Sequence, residues 1–417
     1  MKATNVYLIP GQGGYTPGIF EGNESASVVE VLEAIDKVAA EFGREGISSL
    51  LTEAHAPTAD QLMRTDSFRL QLAVFATGVA GYKLAGLRSE PTVLVGHSMG
   101  EIAALSVAGA FSIEDGARLV CHRAEALLAH CPDEGGMMAL GLPAVRTAHL
   151  IALMGEPRLA LAVVNAPRQT VVSGPLPSLT LVARVAEALG VHTTALTAPF
   201  PFHGPMLAIA AQGFASSIGH LQQRPLRQAV YSPTLQRLAS DDIDLKNLLV
   251  KQLTTSVDFM AAIRELHADG SEVFVECGQA GLAKLVQRCV PNVIVDTAMA
   301  AGERAMKPAT AEVAKLVDTP SPPPAVAHPV ASVDEVLKDL RTLYSSTLGY
   351  PIEVVSPDVD LEADLGIDSL KHTEMLTKVI DTFKLEPTLV NGRLSEQATL
   401  AGIAEVVVAV LTERSVR

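Results

Sequence analysis

Val93-Leu-Val-Gly-His-Ser98-Met-Gly-Glu101 is the stretch that decides how this 417-residue chain reads. An apolar run ends in Gly96, a serine stands between two glycines, and a helical pattern follows at once through Glu101–Ala108. A short run of branched apolar residues bounded in this way reads as a strand buried on both faces. The glycines suit a strained strand–turn–helix, because side chains on either flank of the serine would clash. Such a turn lifts the serine oxygen clear of the sheet. It also aims the first N–H groups of the helix at any oxyanion formed there. Ser98 is the candidate nucleophile.

Outward from this turn, apolar runs at Val6–Ile9, Ala160–Val164, Thr170–Val172 and Val273–Val275 alternate with helical patterns at Ala76–Leu87 and Leu179–Leu189. That alternation predicts an α/β fold with a mainly parallel sheet. Residues 132–198 keep a strand–helix–strand rhythm of their own, closing with a strand over 191–197, and predict a small inserted subdomain. The body spans residues 1–305 and a linker 306–331, within which Thr319-Pro-Ser-Pro-Pro-Pro-Ala-Val-Ala-His-Pro-Val-Ala331 carries five prolines. Such a segment reads as semi-rigid and extended, reaching about 40 Å at roughly 3.1 Å per residue.

Residues 332–417 form a compact tail with 15 acidic and 8 basic residues, a net of −7 out of −14 for the whole chain. Helical patterns at Val333–Leu348 and Leu400–Leu411 predict a small all-α bundle. Between them lies Asp360-Leu-Glu-Ala-Asp-Leu-Gly-Ile-Asp368-Ser369-Leu370. Ser369 is expected to open a helix whose apolar face is Leu376, Val379, Ile380 and Phe383, at i, i+3, i+4 and i+7. Asp368 suits the positive N-terminal end of that helix.

The acidic balance argues against nucleic acid as a partner, since phosphate backbones select basic surfaces. No metal is expected, because Cys121, Cys131, Cys277 and Cys289 show neither C-x-x-C pairing nor zinc-like spacing with histidines. Isolated thiols suit a reducing, cytoplasmic setting. No apolar stretch of signal-peptide type follows the first two residues, and the most apolar region, near 70–110, is broken by Lys83, Arg88, Glu90, His97 and Glu101. Neither a secretion signal nor a membrane span is expected.

A nucleophilic serine needs a base, and His203 in Phe200-Pro-Phe-His-Gly-Pro-Met206 is the candidate, though a lone histidine is often structural. Taken together, these motifs resemble malonyl-CoA:acyl carrier protein transacylases and the acyltransferase domains of polyketide synthases. Those families carry G-Q-G after the first strand, then G-H-S-x-G-E, an arginine 25 residues beyond the serine and a histidine about 105 beyond it. This chain has Pro10-Gly-Gln-Gly13, Arg123 and His203 at those places, with Gln71-Leu-Ala-Val-Phe-Ala76, Asn165-Ala-Pro167, Val171-Val-Ser-Gly174, Lys251-Gln-Leu253 and Glu276-Cys-Gly278 in collinear order. The tail resembles the D-L-G-x-D-S-L attachment site of acyl carrier proteins.

The resemblance implies an α/β-hydrolase-like body with a ferredoxin-like inserted subdomain, followed by a carrier domain. It implies that Ser98 attacks a thioester while His203 takes its proton, with the backbone carbonyl of Gln252 orienting the imidazole in place of an aspartate. Backbone N–H groups of Gln12 and Met99 would form the oxyanion hole, and Arg123 would grip the carboxylate of a malonyl group. His97, Gln71, Asn165 and Phe202 would support the pocket, and Phe202 fits the malonyl-type pattern in which an aromatic ring fills the space of an α-methyl. Ser369 would carry 4′-phosphopantetheine, attached by a phosphopantetheinyl transferase. Acyl-CoA is the implied substrate, and a ketosynthase, other polyketide or fatty-acid synthase components and carrier proteins are the implied partners.

Three departures keep other readings open. Tyr15 stands where the family has glutamine, Gly278-Gln-Ala280 replaces a common G-P-G, and Phe200-Pro-Phe-His203 matches neither common polyketide signature. They put a hydroxy- or aminomalonyl group within reach; separately, a carrier-bound donor, an acyl hydrolase on the same scaffold, which G-x-S-x-G fits equally, and a degenerate carrier or docking protein are alternatives.

Overall fold

The structure, a computed structural model, describes residues 5–23, 25–85, 92–131, 134–279, 281–291, 293–298, 333–348, 356–357 and 361, and discontinuously those between 375 and 415. The chain divides into two compact units, Met1–Glu312 and Val313–Arg417. The linker 306–331 and Ser369 lie outside the described residues.

In the first unit, β1 (Asn5–Ile9), β2 (Thr92–Gly96), β7 (Ala229–Ser232), β8 (Arg237–Leu238), β10 (Val273–Glu276) and β11 (Ile294–Thr297) build one sheet. Its order is β11-β10-β1-β2-β7-β8, parallel throughout except for the β7–β8 hairpin. Every residue of β1 is buried, as the uninterrupted apolar run requires of a central parallel strand. Around the sheet lie α1 (Ala26–Glu41), α2 (Ser48–Thr52), α3 (Ala59–Thr65), α4 (Ser67–Ala85), α5 (Gly100–Val107) and α6 (Ile113–His130). The pattern at Ala76–Leu87 marks only the second half of α4, which starts at Ser67 after Asp66 accepts from the Arg69 N–H at 3.1 Å. Because α4 is buried on almost every side, including Gln71 and Thr77, it has no polar face to reveal its true length.

The inserted subdomain runs β3 (Gly135–Leu140), α7 (Ala144–Met154), β4 (Ala160–Ala166), β5 (Gln169–Pro175), α8 (Leu176–Ala188) and β6 (Thr193–Leu196). Its antiparallel order β6-β3-β5-β4 is that of a ferredoxin-like βαββαβ unit, closed over a core of its own around Val172, Leu179 and Val182. One addition lies beyond the 132–198 segment. After α9 (Ala208–Ser217) and α10 (Leu245–Gln252), the two-residue β9 (Val257–Asp258) joins this sheet parallel to β4, pairing Val163 with Val257. Two residues are too few to show any alternation in sequence. α11 (Phe259–Ala268) and α12 (Gly281–Cys289) complete the unit.

In the second unit the helices Val333–Leu348 and Leu400–Ser415 share a core containing Val336, Leu340, Tyr344, Ile403 and Val407. Leu376, Val379 and Ile380 are buried in the same core and Phe383 packs against it, so the apolar spacing does mark an inward face. Each such apolar side chain contributes about 1.5–3 kcal/mol when fully buried. Among the described residues no helix is long and apolar enough to cross a membrane, and no group of His, Cys, Asp and Glu could hold a metal ion.

Candidate active site

The C-terminal ends of β1 and β2 meet where Ile9 pairs with Gly96, and the chain turns sharply just beyond. The His97 N–H donates to the Ile9 carbonyl at 2.9 Å. A Cβ on Gly96 would fall 2.3 Å from the Glu101 backbone, and one on Gly100 would fall 2.3 Å from the Ile9 oxygen. The two glycines are thus required by close backbone approach on either side of Ser98. Ser98 itself is held at φ 54°. His203, from the loop before α9, is also left-handed at φ 60°. Each of these non-glycine residues costs on the order of 1–3 kcal/mol in backbone strain, offset by the surrounding packing.

The strain brings the two side chains together. Ser98 Oγ lies 2.6 Å from His203 Nε2, and His203 Nδ1 lies 2.8 Å from the backbone oxygen of Gln252. A carbonyl only accepts, so Nδ1 carries the proton and Nε2 is free to receive one from the serine hydroxyl. Burial pushes the imidazole pKa down to about 4, with the positive charge of Arg123 acting in the same direction and the Gln252 carbonyl against it. The base is neutral at physiological pH. The acylation rate of Ser98 is therefore expected to stay level from pH 8 down to about 5, falling only as His203 protonates near 4. A stopped-flow pH profile checks this, and an acid limb at the ordinary histidine value would contradict it.

Arg123 reaches the same place from α6, whose start is capped by Ser112 accepting from the Asp115 N–H at 3.0 Å. Its side chain is almost wholly buried, at 2% exposure. Nη1 donates to Gln71 Oε1 and lies 3.6 Å from Met99 Sδ, while the guanidinium carbon stands 4.9 Å from the centre of the Phe202 ring. Nε has no hydrogen-bond partner, and among the described residues no carboxylate pairs with the group. Burial lowers its pKa to about 9, which still leaves it charged at neutral pH. A buried cation without an anion is costly unless something else supplies one.

The remaining expected residues lie around this cluster. His97 Nε2 is 2.8 Å from Asn165 Oδ1, and its ring meets Phe259 edge-on at 5.1 Å. Phe202 meets Phe200 at 5.7 Å. Gln12 opens a single 3-10 turn, its Nε2 3.4 Å from Met63 Sδ. A Cβ on the preceding Gly11 would fall 3.4 Å from Ser98 Cβ, so this loop lies directly against the nucleophile. The turn bonds after Ser98 are donated by Gly100, Glu101 and Ile102, and the Met99 N–H precedes that series.

Two features escape the sequence reading. Glu101 is fully buried, accepts from Thr234 Oγ1 at 2.9 Å and from Gln252 Nε2, and has its pKa raised by burial. Gln252 contributes its side chain as well as its carbonyl, because Nε2 also donates to the Ser98 oxygen at 3.0 Å. The signals for Glu101 are the last position of the G-H-S-x-G-E motif and a carboxylate at the head of an otherwise apolar helix, Glu101-Ile-Ala-Ala-Leu105.

The acyl transferase domain family matches residues 18–310 and the phosphopantetheine attachment site family matches residues 338–407. The spectinabilin polyketide synthase system protein NorB of Streptomyces orinoci is 32% identical over 295 residues, covering 68% of this chain and 13% of that protein. Erythronolide synthase EryA2 of Saccharopolyspora erythraea is 32% identical over 277 residues, covering 65% of this chain and 8% of that protein. The chain thus spans only a small part of the length of these relatives. Among solved structures, the acyltransferase domain from module 8 of the salinomycin polyketide synthase superposes with a TM-score of 0.63 at 28% identity, over 70% of each chain. The acyl-carrier-protein S-malonyltransferase of Burkholderia pseudomallei 1710b gives 0.65 at 25% identity, over 72% of this chain and 99% of that one.

Proposed function

Because the chain belongs to the acyl transferase domain family and continues into a phosphopantetheine attachment domain, we propose that it moves a malonyl group from coenzyme A, through acyl-Ser98, to a carrier thiol. The observation that carries this reading is Arg123: a buried guanidinium, unpaired among the described residues and packed on Met99 and Phe202 beside the nucleophile. A carboxylate entering the pocket can take two parallel charge-assisted hydrogen bonds from it, which acetyl or a fatty chain cannot do. Phe202, buried against the guanidinium, fits the malonyl-type pattern, in which this ring would fill the space of an α-methyl. One methyl is worth about 1–3 kcal/mol in such a pocket, so malonyl is favoured over methylmalonyl by roughly 10- to 200-fold.

In the first half-reaction Ser98 Oγ attacks the thioester carbonyl carbon as His203 Nε2 takes the hydroxyl proton. The N–H groups of Gln12 and Met99 receive the oxyanion. The carbon–sulfur bond then breaks, and His203 returns its proton to the departing coenzyme A thiolate. In the second half-reaction His203 removes the proton of the incoming thiol, and Ser98 Oγ is the leaving group that recovers it.

The attachment domain binds 4′-phosphopantetheine covalently, and that arm supplies the acceptor thiol. Ser369, within the matched stretch, is the hydroxyl to be esterified. Met375 and Leu376, further along the same matched stretch, are buried in the core of the second unit. A phosphopantetheinyl transferase would load this serine, and synthase components such as a ketosynthase would receive the acyl group.

Intact-mass spectrometry of the phosphopantetheinylated chain, exposed to a panel of acyl-CoAs, tests the whole scheme. Malonyl-CoA is expected to add acyl mass to both Ser98 and the arm. Ser369→Ala should remove the arm and its acyl group while leaving Ser98 acylated. Loss of acylation at both sites in that variant would contradict separate nucleophile and acceptor roles.

A further inference from the structure

We propose that Glu101 is a positioning residue for the general base, gripping the Gln252 side chain and so fixing the backbone carbonyl that orients His203. The inference rests on the reading of Ser98 and His203 as nucleophile and base. Gln252 is the last residue of α10, and carbonyls at a helix end lack an intrahelical donor. That frees the Gln252 oxygen to accept from His203 Nδ1, but it also leaves the acceptor on a peptide where helices fray. The only backbone donor in the turn beyond it is the Thr255 N–H at 3.5 Å, a long contact that restrains it weakly.

The restraint comes instead from the side chain of the same residue. Gln252 Nε2 donates both to the Ser98 backbone oxygen, at 3.0 Å, and to Glu101 Oε2. Ser98 oxygen also accepts from the Glu101 N–H at 2.9 Å, so nucleophile, carboxyl and amide form one closed set of contacts. Thr234 Oγ1, from the β7–β8 turn, donates to the same carboxyl oxygen, Oε2, at 2.9 Å. Oε1 makes no hydrogen bond of full geometry, while the Ser232 hydroxyl lies close enough to favour the charged carboxyl. A glutamate at this position reaches from α5 to the end of α10 and ties the base's support to the nucleophile's own helix. What this role requires of Glu101 is an acceptor oxygen, not a negative charge.

A fluorophosphonate, which reacts with an activated serine without needing the malonyl pocket, tests the proposal on the full chain. Ser98 Oγ forms a bond to phosphorus, fluoride departs, and His203 Nε2 takes the hydroxyl proton; intact mass follows the rate. Glu101→Leu is expected to slow phosphonylation by about 10- to 100-fold, the scale of a small misplacement of a catalytic group. Glu101→Gln keeps an acceptor oxygen and should restore most of the rate, which a merely space-filling role would not predict over leucine. Gln252→Met should be slowed as Glu101→Leu is, and the double variant should be no slower than either single one. Unsubstituted rates in Glu101→Leu, additive losses, or Glu101→Gln as slow as the leucine variant would each overturn it. Should Glu101→Leu not fold, Gln252→Met reacting at the unsubstituted rate would overturn it equally. A chain that reacts with the fluorophosphonate but not with malonyl-CoA would sink the malonyl reading and leave this proposal standing.

Discussion

Ser98→Ala is expected to abolish the acyl-enzyme, with no malonyl adduct on the first unit after any incubation with malonyl-CoA. Losing the nucleophile of a serine–histidine pair costs on the order of 10⁶-fold, because the remaining groups have nothing to activate. The substitution should leave the fold intact. Alanine bears the same φ 54° backbone as serine, and the variant loses one hydrogen bond, to His203. A hydrogen bond of that kind is worth about 1 kcal/mol, so Tm should move by only about 2–4 °C. Acyl mass retained on the first unit of the variant would place the nucleophile elsewhere.

Arg123→Ala should have the second-largest effect, and a selective one. Two charge-assisted bonds to a desolvated carboxylate are together worth about 3–4 kcal/mol, so acylation by malonyl-CoA is expected to fall by roughly 10²- to 10³-fold. Acetyl-CoA, which has no carboxylate to lose, should react as before or faster, because the pocket no longer holds an unpaired cation. Equal losses with both donors would show that Arg123 is structural. A second readout follows from charge. The Arg123 cation lowers the His203 pKa, so removing it favours the imidazolium and should move the acid limb of the rate profile to higher pH. The methylmalonyl donor offers a further check, since the Phe202 ring stays in place in this variant.

Much of this site was legible before any coordinates. A serine between two glycines at a strand end has few geometries open to it, and Gly96 and Gly100 do press against neighbouring backbone. The spacing of Arg123 and His203 from Ser98, set beside the resemblance, points to residues that the fold brings into one cluster. The carrier helix at Val333–Leu348 reads directly from its period, because one face is apolar and the other charged.

What was hidden had physical reasons. The start of α4 escaped because the helix is buried on almost every side, polar Gln71 included, so no polar face sets its period. Glu101 looks in sequence like a favourable charge in a first helical turn; only its full burial and its bond to Gln252 give it another meaning. The amide of Gln252 carries no signature at all, since any polar residue ends a helix acceptably. Local pattern reports what a segment does with solvent, and these groups are defined by segments far away in the chain.

The short strand β9 sets a limit on how the molecule could be rebuilt. It lies five residues beyond Gln252 in the chain yet hydrogen-bonds to the edge of the inserted sheet at Val163 and Val164. A chimera that exchanges residues 132–198 with those of a relative would therefore leave a foreign edge facing a native partner strand. Successful grafts of this subdomain should need Val257 and Asp258 transplanted with it, and crossover points chosen without them are expected to loosen the junction next to the Gln252 carbonyl.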